Sequence, residues 1–223
     1  MRPDAEHILI IFALAQIGGP LFLGLWGVFA PSADTPGAQP AMEPWNWRLT
    51  IASAFTYTLA FNLVFIVQEI FLVWPKALTP GLTATLYHNN HNWTGDDPIA
   101  RLYQGTGALA IAVIGAAALA WVKTHPSTSP TFRLFVIWLA YHGLFESLPQ
   151  VVVGAFLPGN DVGMAMDYLG ATQAVMLIAA VAALAAMAAA GITLARSLLE
   201  LAIDARDIDT RWKRTRFAFR IAT

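Results

Sequence analysis

An all-α bundle of about five membrane-spanning helices is the fold class this sequence predicts, and three observations predict it. Hydrophobic residues make up 57% of the 223 and charged residues only 12%, with a mean hydropathy of +0.56. Several apolar runs are long enough to cross roughly 30 Å of hydrocarbon. Lysine and arginine gather beside the ends of those runs rather than within them, as headgroup contact and the positive-inside rule require. No hydrophilic stretch is large enough to fold alone, so residues 1–201 read as one transmembrane domain and 202–223 as a basic tail. The formal charge of −1 gives no nucleic-acid footprint, and the bilayer is the first expected partner. With no cysteine in the chain, any metal must use His, carboxylate or amide ligands.

The first span is expected over residues 8–30, apolar throughout but carrying a Gly18-Gly19-Pro20 kink signal. It is too long for a usual signal-peptide core and lacks a basic leader beyond Arg2, so it is expected to be retained; cleavage after Ala33 is the alternative. A Pro-, Ser- and Ala-rich loop follows to Pro44, and Trp45-Asn46-Trp47-Arg48 then suits a headgroup interface. The second span, 49–74, stops at Pro75-Lys76, and Pro80-Gly81 bars its continuation. The third is expected over 102–122, the fourth over 132–157, and the fifth over 162–201, longer than a bilayer needs.

In this five-span arrangement one side collects ten cations: Arg48, Lys123, Arg133, Arg196, Arg206, Arg211, Lys213, Arg214, Arg216 and Arg220. The other holds only Arg2, Lys76 and Arg101. The richer side is therefore expected to be cytoplasmic, with the C-terminus inside, in what the Ala-rich, Arg-tailed character marks as a bacterial plasma membrane. A faint repeat runs through the second half of the chain. Tyr103, Gly105 and Ala117-Ala118-Leu119-Ala120 recur at constant spacing as Tyr168, Gly170 and Ala182-Ala183-Leu184-Ala185. Two parallel hairpins, spans two and three matching four and five, would explain it.

Polar residues segregate to one end of this bundle. Gln68 and Glu69 close span two, His88-Asn89-Asn90-His91-Asn92 follow, and Tyr103 and Gln104 open span three. On the same side lie His142 and Glu146, then Pro149-Gln150, with Asp161, Asp167 and Gln173 around the start of span five. Ionisable groups at bilayer depth are costly, so such clusters usually bind something or do chemistry. A cavity opening to the extracytoplasmic side is expected there.

His142 and Glu146 stand four apart on one helix face and suit an acid–base pair or shared ligation. His88, His91 and His142 are the candidate ligands of one divalent metal, zinc before others, with an open position for water. Glu69 and Glu146 are the candidate catalytic carboxylates, and Asn89 and Asn90 the candidate cofactor-binding amides. Plainer readings stand beside these. A His-x-x-x-Glu turn in a membrane helix is often a structural hydrogen-bonded pair, and a His-Asn-Asn run is often a solvated turn. Gln68 and Asn62 read as helix-to-helix hydrogen bonders.

His88-Asn89-Asn90-His91 resembles a fragment of the last histidine box of membrane fatty-acid desaturases, but its adjoining His is missing and five histidines are too few. His142 and Glu146 resemble, over a single helical turn, the His/Glu acid–base pair of five-span sterol isomerases. Motifs of intramembrane zinc and rhomboid proteases are absent from the sequence.

Three functions follow as expectations. The first is a membrane enzyme, hydrolase or isomerase, acting by metal or acid–base chemistry on a lipid or other amphipathic small molecule. The second is a small transporter or a metal- or solute-binding protein. The third is a structural subunit that meets a membrane-protein partner or its own copies.

Overall fold

The computed structural model describes residues 45–87, 90–126 and 128–222, together with Ile10 and Phe22. Apart from those two residues, the expected first span and the loop after it lie outside the described residues. The chain is an all-α membrane bundle. Helix α1 (Trp47–Ala77) leads into a hairpin of β1 (Thr83–Leu86) and β2 (His91–Thr94), then a short α2 (Ile99–Tyr103) and α3 (Thr106–Thr124). Helix α4 (Pro130–Phe156) is followed by a short α5 (Asp161–Tyr168), α6 (Gln173–Leu199), a 3-10 turn at Ala205–Asp207 and α7 (Arg211–Ala222). Among the described residues, four segments are long and apolar enough to cross a membrane: α1, α2 with α3, α4, and α6.

Three spans differ from the sequence expectation: the second runs through Pro75-Lys76 to Ala77 instead of stopping there, and the other two differ at their starts. The third begins earlier, at Ile99, and is interrupted at Gln104-Gly105 before α3 resumes. The fifth is not one helix over 162–201. Gly170 adopts a φ of 66°, which ends α5, and the Thr172 side chain accepts a hydrogen bond from the Val175 N–H to begin α6 afresh. Asn160 caps α5 in the same way through Val162. The basic tail after 201 contains α7 rather than continuing the span.

Helix α4 is the hub, packing against α1, α3, α5 and α6. It runs parallel to α1, since Ser53 accepts from the Trp138 indole N–H at 2.9 Å, Tyr57 meets His142, and Gln68 meets Gln150 in rising order. It runs antiparallel to α3. There Gly143 and Gly115 face each other so closely that a Cβ on Gly143 would lie 2.6 Å from the Gly115 Cα. Glycine at both positions is what lets the backbones touch.

Proline supplies a second join. Pro75 has no N–H, so the carbonyl of Phe71 one turn earlier is released from the α1 ladder. The Thr106 hydroxyl donates to that oxygen at 2.5 Å, tying the start of α3 to the end of α1. At the opposite end, the buried Arg133 guanidinium pairs with Glu200 and donates to the Pro126 carbonyl at 3.0 Å, which fixes the α3–α4 loop against the end of α6.

The repeat has a structural counterpart. Each half contains a long helix with an interior proline (Pro75, Pro149), a short helix ending at Tyr103 or Tyr168, a break at Gly105 or Gly170, and an Ala-rich span. The two short helices face each other, with Arg101 donating to Asp167 at 2.6 Å.

Gly143→Ala is expected to destabilise the bundle by about 1–3 kcal/mol through overpacking. Gly159→Ala, where an added Cβ meets nothing within 4 Å, should change the melting temperature little. Thermal unfolding of both variants in one detergent, followed by circular dichroism, checks the contrast.

Candidate functional site

The polar end expected from sequence is assembled by the β-hairpin, which sequence placed in a loop. Its register pairs Leu86 with His91 and Thr83 with Thr94. Alternation along β2 turns His91 and Trp93 inward and leaves Asn92 and Thr94 exposed. Gly95, at a φ of 118°, closes the strand ends so tightly that any Cβ would sit 2.2 Å from the Gly81 carbonyl oxygen. Where a cavity was expected, the hairpin lies across the polar groups.

Beneath it, Lys76 is fully buried. Its ammonium donates to Gln104 Oε1 at 2.7 Å and to the Leu72 carbonyl at 2.6 Å, and it sits 4.9 Å from the Trp93 ring centre. An ammonium has only donors, so the oxygen of the Gln104 amide must face it. The same oxygen lies 3.1 Å from His91 Nε2, which therefore donates. His91 Nδ1 lies 3.0 Å from the Glu69 carboxylate, within hydrogen-bond distance. Asp161, at the start of α5, completes the group. Burial raises its carboxyl above the ordinary carboxylate range, opposed by the positive charge of His91 and Lys76 and reinforced by Glu69.

The second pair lies deeper. His142 Nδ1 lies 2.7 Å from the Glu146 carboxylate, and the imidazole is packed edge-on against Tyr57, Phe61 and Tyr141 at centroid distances of 4.5, 5.4 and 5.3 Å. Phe61 and Tyr57 stand two to three turns before Glu69 on α1, so the imidazole sits roughly 12–18 Å below it along the helix. His142 is 3% exposed and its Nε2 has no hydrogen-bond partner. With Nδ1–H donated to Glu146, Nε2 carries a buried, unused lone pair. Polar side chains join the two levels: the Gln150 amide donates to the Glu146 carbonyl at 2.9 Å and to Gln68 Oε1 at 3.4 Å.

The structure thus brings Glu69 to His91 and Glu146 to His142, and does not bring His91 and His142 together. Among the described residues no group of three or more His, Asp or Glu is arranged to hold a metal ion. His88 and Asn89 lie outside the described residues. Asn90 serves the hairpin turn, its side chain accepting from the His91 N–H at 2.8 Å and its carbonyl from the Tyr87 N–H at 2.7 Å. Gln68 bonds between helices as expected, whereas Asn62 donates within α1 to Thr58. Lys76 and Trp93 are site residues that the sequence reading does not name as such. Period-two alternation in His91-Asn92-Trp93-Thr94 is the signal for Trp93, and Lys76 carries none.

These features define a class, a polytopic membrane bundle with a polar end cap and a buried carboxylate–imidazole pair. Comparison with family models, curated proteins and solved structures found no match.

Because His91 is the hairpin's polar anchor, His91→Ala and Glu69→Ala are each expected to raise amide hydrogen exchange across residues 83–94 while leaving α3 and α4 protected. Hydrogen–deuterium exchange read by mass spectrometry checks this, and unchanged exchange in the hairpin would refute the anchoring role.

Proposed function

We propose that this chain is a membrane enzyme that moves a proton within an amphipathic, lipid-like substrate, with His142 as the acid–base group and Glu146 holding its tautomer. The observation that carries the reading is the buried His142 Nε2 without a partner. Buried polar atoms are nearly always satisfied, and an imidazole oriented by a carboxylate with its other nitrogen idle is the arrangement a general base requires. The surroundings favour an apolar substrate. Tyr57 and Phe61 edge the imidazole yet are 39% and 43% exposed on the outer surface of the bundle, so a ligand arriving from the bilayer between α1 and α4 meets this ring first.

In the proposed reaction Nε2 takes a proton from a carbon that lies between an electron-withdrawing group and a carbon–carbon double bond, Glu146 stabilises the imidazolium through Nδ1, and the same proton returns to the far carbon of the delocalised anion, so that the double bond shifts by one position. No water is consumed, in keeping with aromatic walls. The hydrolytic alternative would have His142 deprotonate a water that attacks an ester. Glu69 and His91 act in this reading as the clamp of the end cap. We place the protein in a bacterial plasma membrane with its C-terminus cytoplasmic, because the bundle end formed by the α3–α4 loop, the end of α6 and α7 carries nearly all of the described cations.

A transport reading is favoured by one observation, the line of polar groups from Glu69 and Gln68 through Gln150 to Glu146 and His142. Such lines of ionisable and amide groups carry protons in membrane transporters.

Incubating the purified protein in nanodiscs with a bacterial lipid extract in deuterated water tests the enzyme. The expected result is deuterium incorporated at carbon in a particular lipid species, lowered by about 100-fold or more in His142→Ala and by roughly 10–100-fold in Glu146→Gln, with helicity retained. Hydrolysis products dependent on His142 would move the reaction to ester cleavage. No His142-dependent change, with proton flux into proteoliposomes abolished by Gln150→Leu, would give the site to transport. Elemental analysis of the same untagged preparation addresses the divalent-metal version centred on His88 and His91. Acid–base chemistry at His142 predicts zinc well below one equivalent, and near-stoichiometric zinc lost in both His88→Ala and His142→Ala would replace it.

A further inference from the structure

The cation-rich end of the bundle carries a helix that neither the catalytic nor the transport reading uses. Within the twelve residues of α7 stand Arg211, Lys213, Arg214, Arg216 and Arg220, with no acidic residue among them. The helix does not float. Phe217 and Ile221 are buried in one core cluster with Leu134, Leu194 and Leu198. The Trp45 ring packs edge-on to Phe217 at 5.5 Å, the Arg220 guanidinium lies 4.9 Å from the Trp45 ring centre, and the Thr50 hydroxyl donates to the Arg220 carbonyl at 3.0 Å. These contacts pin α7 across the start of α1, where the apolar span gives way to Trp45, Trp47 and Arg48.

Tryptophan and arginine where an apolar span ends suit the headgroup region of a bilayer, and the exposed side chains there are of that kind. Trp47 and Phe219 are exposed apolar groups beside exposed Arg48, Arg211 and Arg214. The nearby carboxylates are engaged locally, Asp209 with Lys213 at 2.9 Å and Asp204 with Arg206. Burial and the neighbouring Arg216 charge push the Arg220 guanidinium below its ordinary value, which places two of these cations close together. A basic amphipathic helix held flat against a span by its apolar face presents its cations to lipid phosphates.

We propose that α7, with the start of α1, is a docking surface for anionic phospholipid headgroups of the leaflet it faces. Arginines 211, 214, 216 and 220 meet phosphate oxygens, and Trp47 and Phe219 enter the acyl boundary. Guanidinium pairs phosphate in a bidentate fork, which favours arginine over lysine in this role.

Native mass spectrometry of the full-length protein, released from detergent with equal amounts of phosphatidylglycerol and phosphatidylcholine, tests the proposal. Wild type is expected to retain phosphatidylglycerol over phosphatidylcholine by about threefold or more. The quadruple variant Arg211→Gln, Arg214→Gln, Arg216→Gln, Arg220→Gln should lose that preference, whereas Arg101→Gln at the opposite end keeps it. Should the quadruple variant fail to fold, rising salt should erode the wild-type preference in its place. Equal retention of both lipids by wild type, an unchanged preference in the folded quadruple variant, or a preference indifferent to salt would each overturn the proposal. Loss of the preference on adding inorganic phosphate would overturn it in favour of a free-anion site.

Discussion

A fully buried ammonium has to be surrounded by acceptors, and Lys76 imposes that constraint on one whole end of this bundle. Its position at the last turn of α1 obliges Gln104 to turn its oxygen inward, and that oxygen sets how His91 Nε2 must be protonated. His91 in turn reaches Glu69 on the same helix as Lys76. The hairpin is held by His91, which meets both the Glu69 carboxylate and the Gln104 amide oxygen. Removing the cation would take from the Gln104 oxygen one of its two partners and leave it to His91 Nε2. The interruption of the third span at Gln104 is part of the same arrangement, since it sets this amide at the junction of α2 and α3.

The deeper pair obeys a different logic. His142 and Glu146 need only their own helix to meet, as an i,i+4 pair, but what surrounds them comes from α1. Aromatic rings shield the imidazole from water while offering its free nitrogen nothing. A purely structural pair would be expected to use both ring nitrogens. Two carboxylate–imidazole pairs in one small bundle therefore differ in kind: the upper is fully engaged in fastening the cap, and the lower is left with one valence unspent.

Much of the architecture was legible because hydrophobic length and period are read directly from residue order. The α1 span, the α3–α4 pair and the gathering of Glu69, His91, Gln104 and Asp161 at one end all followed from span order alone. The site was legible in its members and in the His142–Glu146 pair, but not in the separation of His91 from His142. His91 and His142 share a side of the membrane, but depth along a helix depends on interhelical register, which packing at Gly115 and Gly143 decides. The hairpin escaped notice because its strands are only four residues each and their polar side chains read as a turn. The break in the fifth span hinged on one glycine at positive φ inside an otherwise helical run.

The central position of α4 has a consequence for how the protein is made. Among the four spans it has the lowest hydropathy, and half of its most apolar stretch is enclosed by protein, against a third or less for the others. It carries Arg133, His142, Glu146 and Gln150, groups that lipid would not solvate. Such a segment partitions poorly from the translocon on its own. Its polar groups are met in the bundle by Ser53 and Gln68 of α1, and its Gly143 by Gly115 of α3, so the neighbours supply what lipid would not.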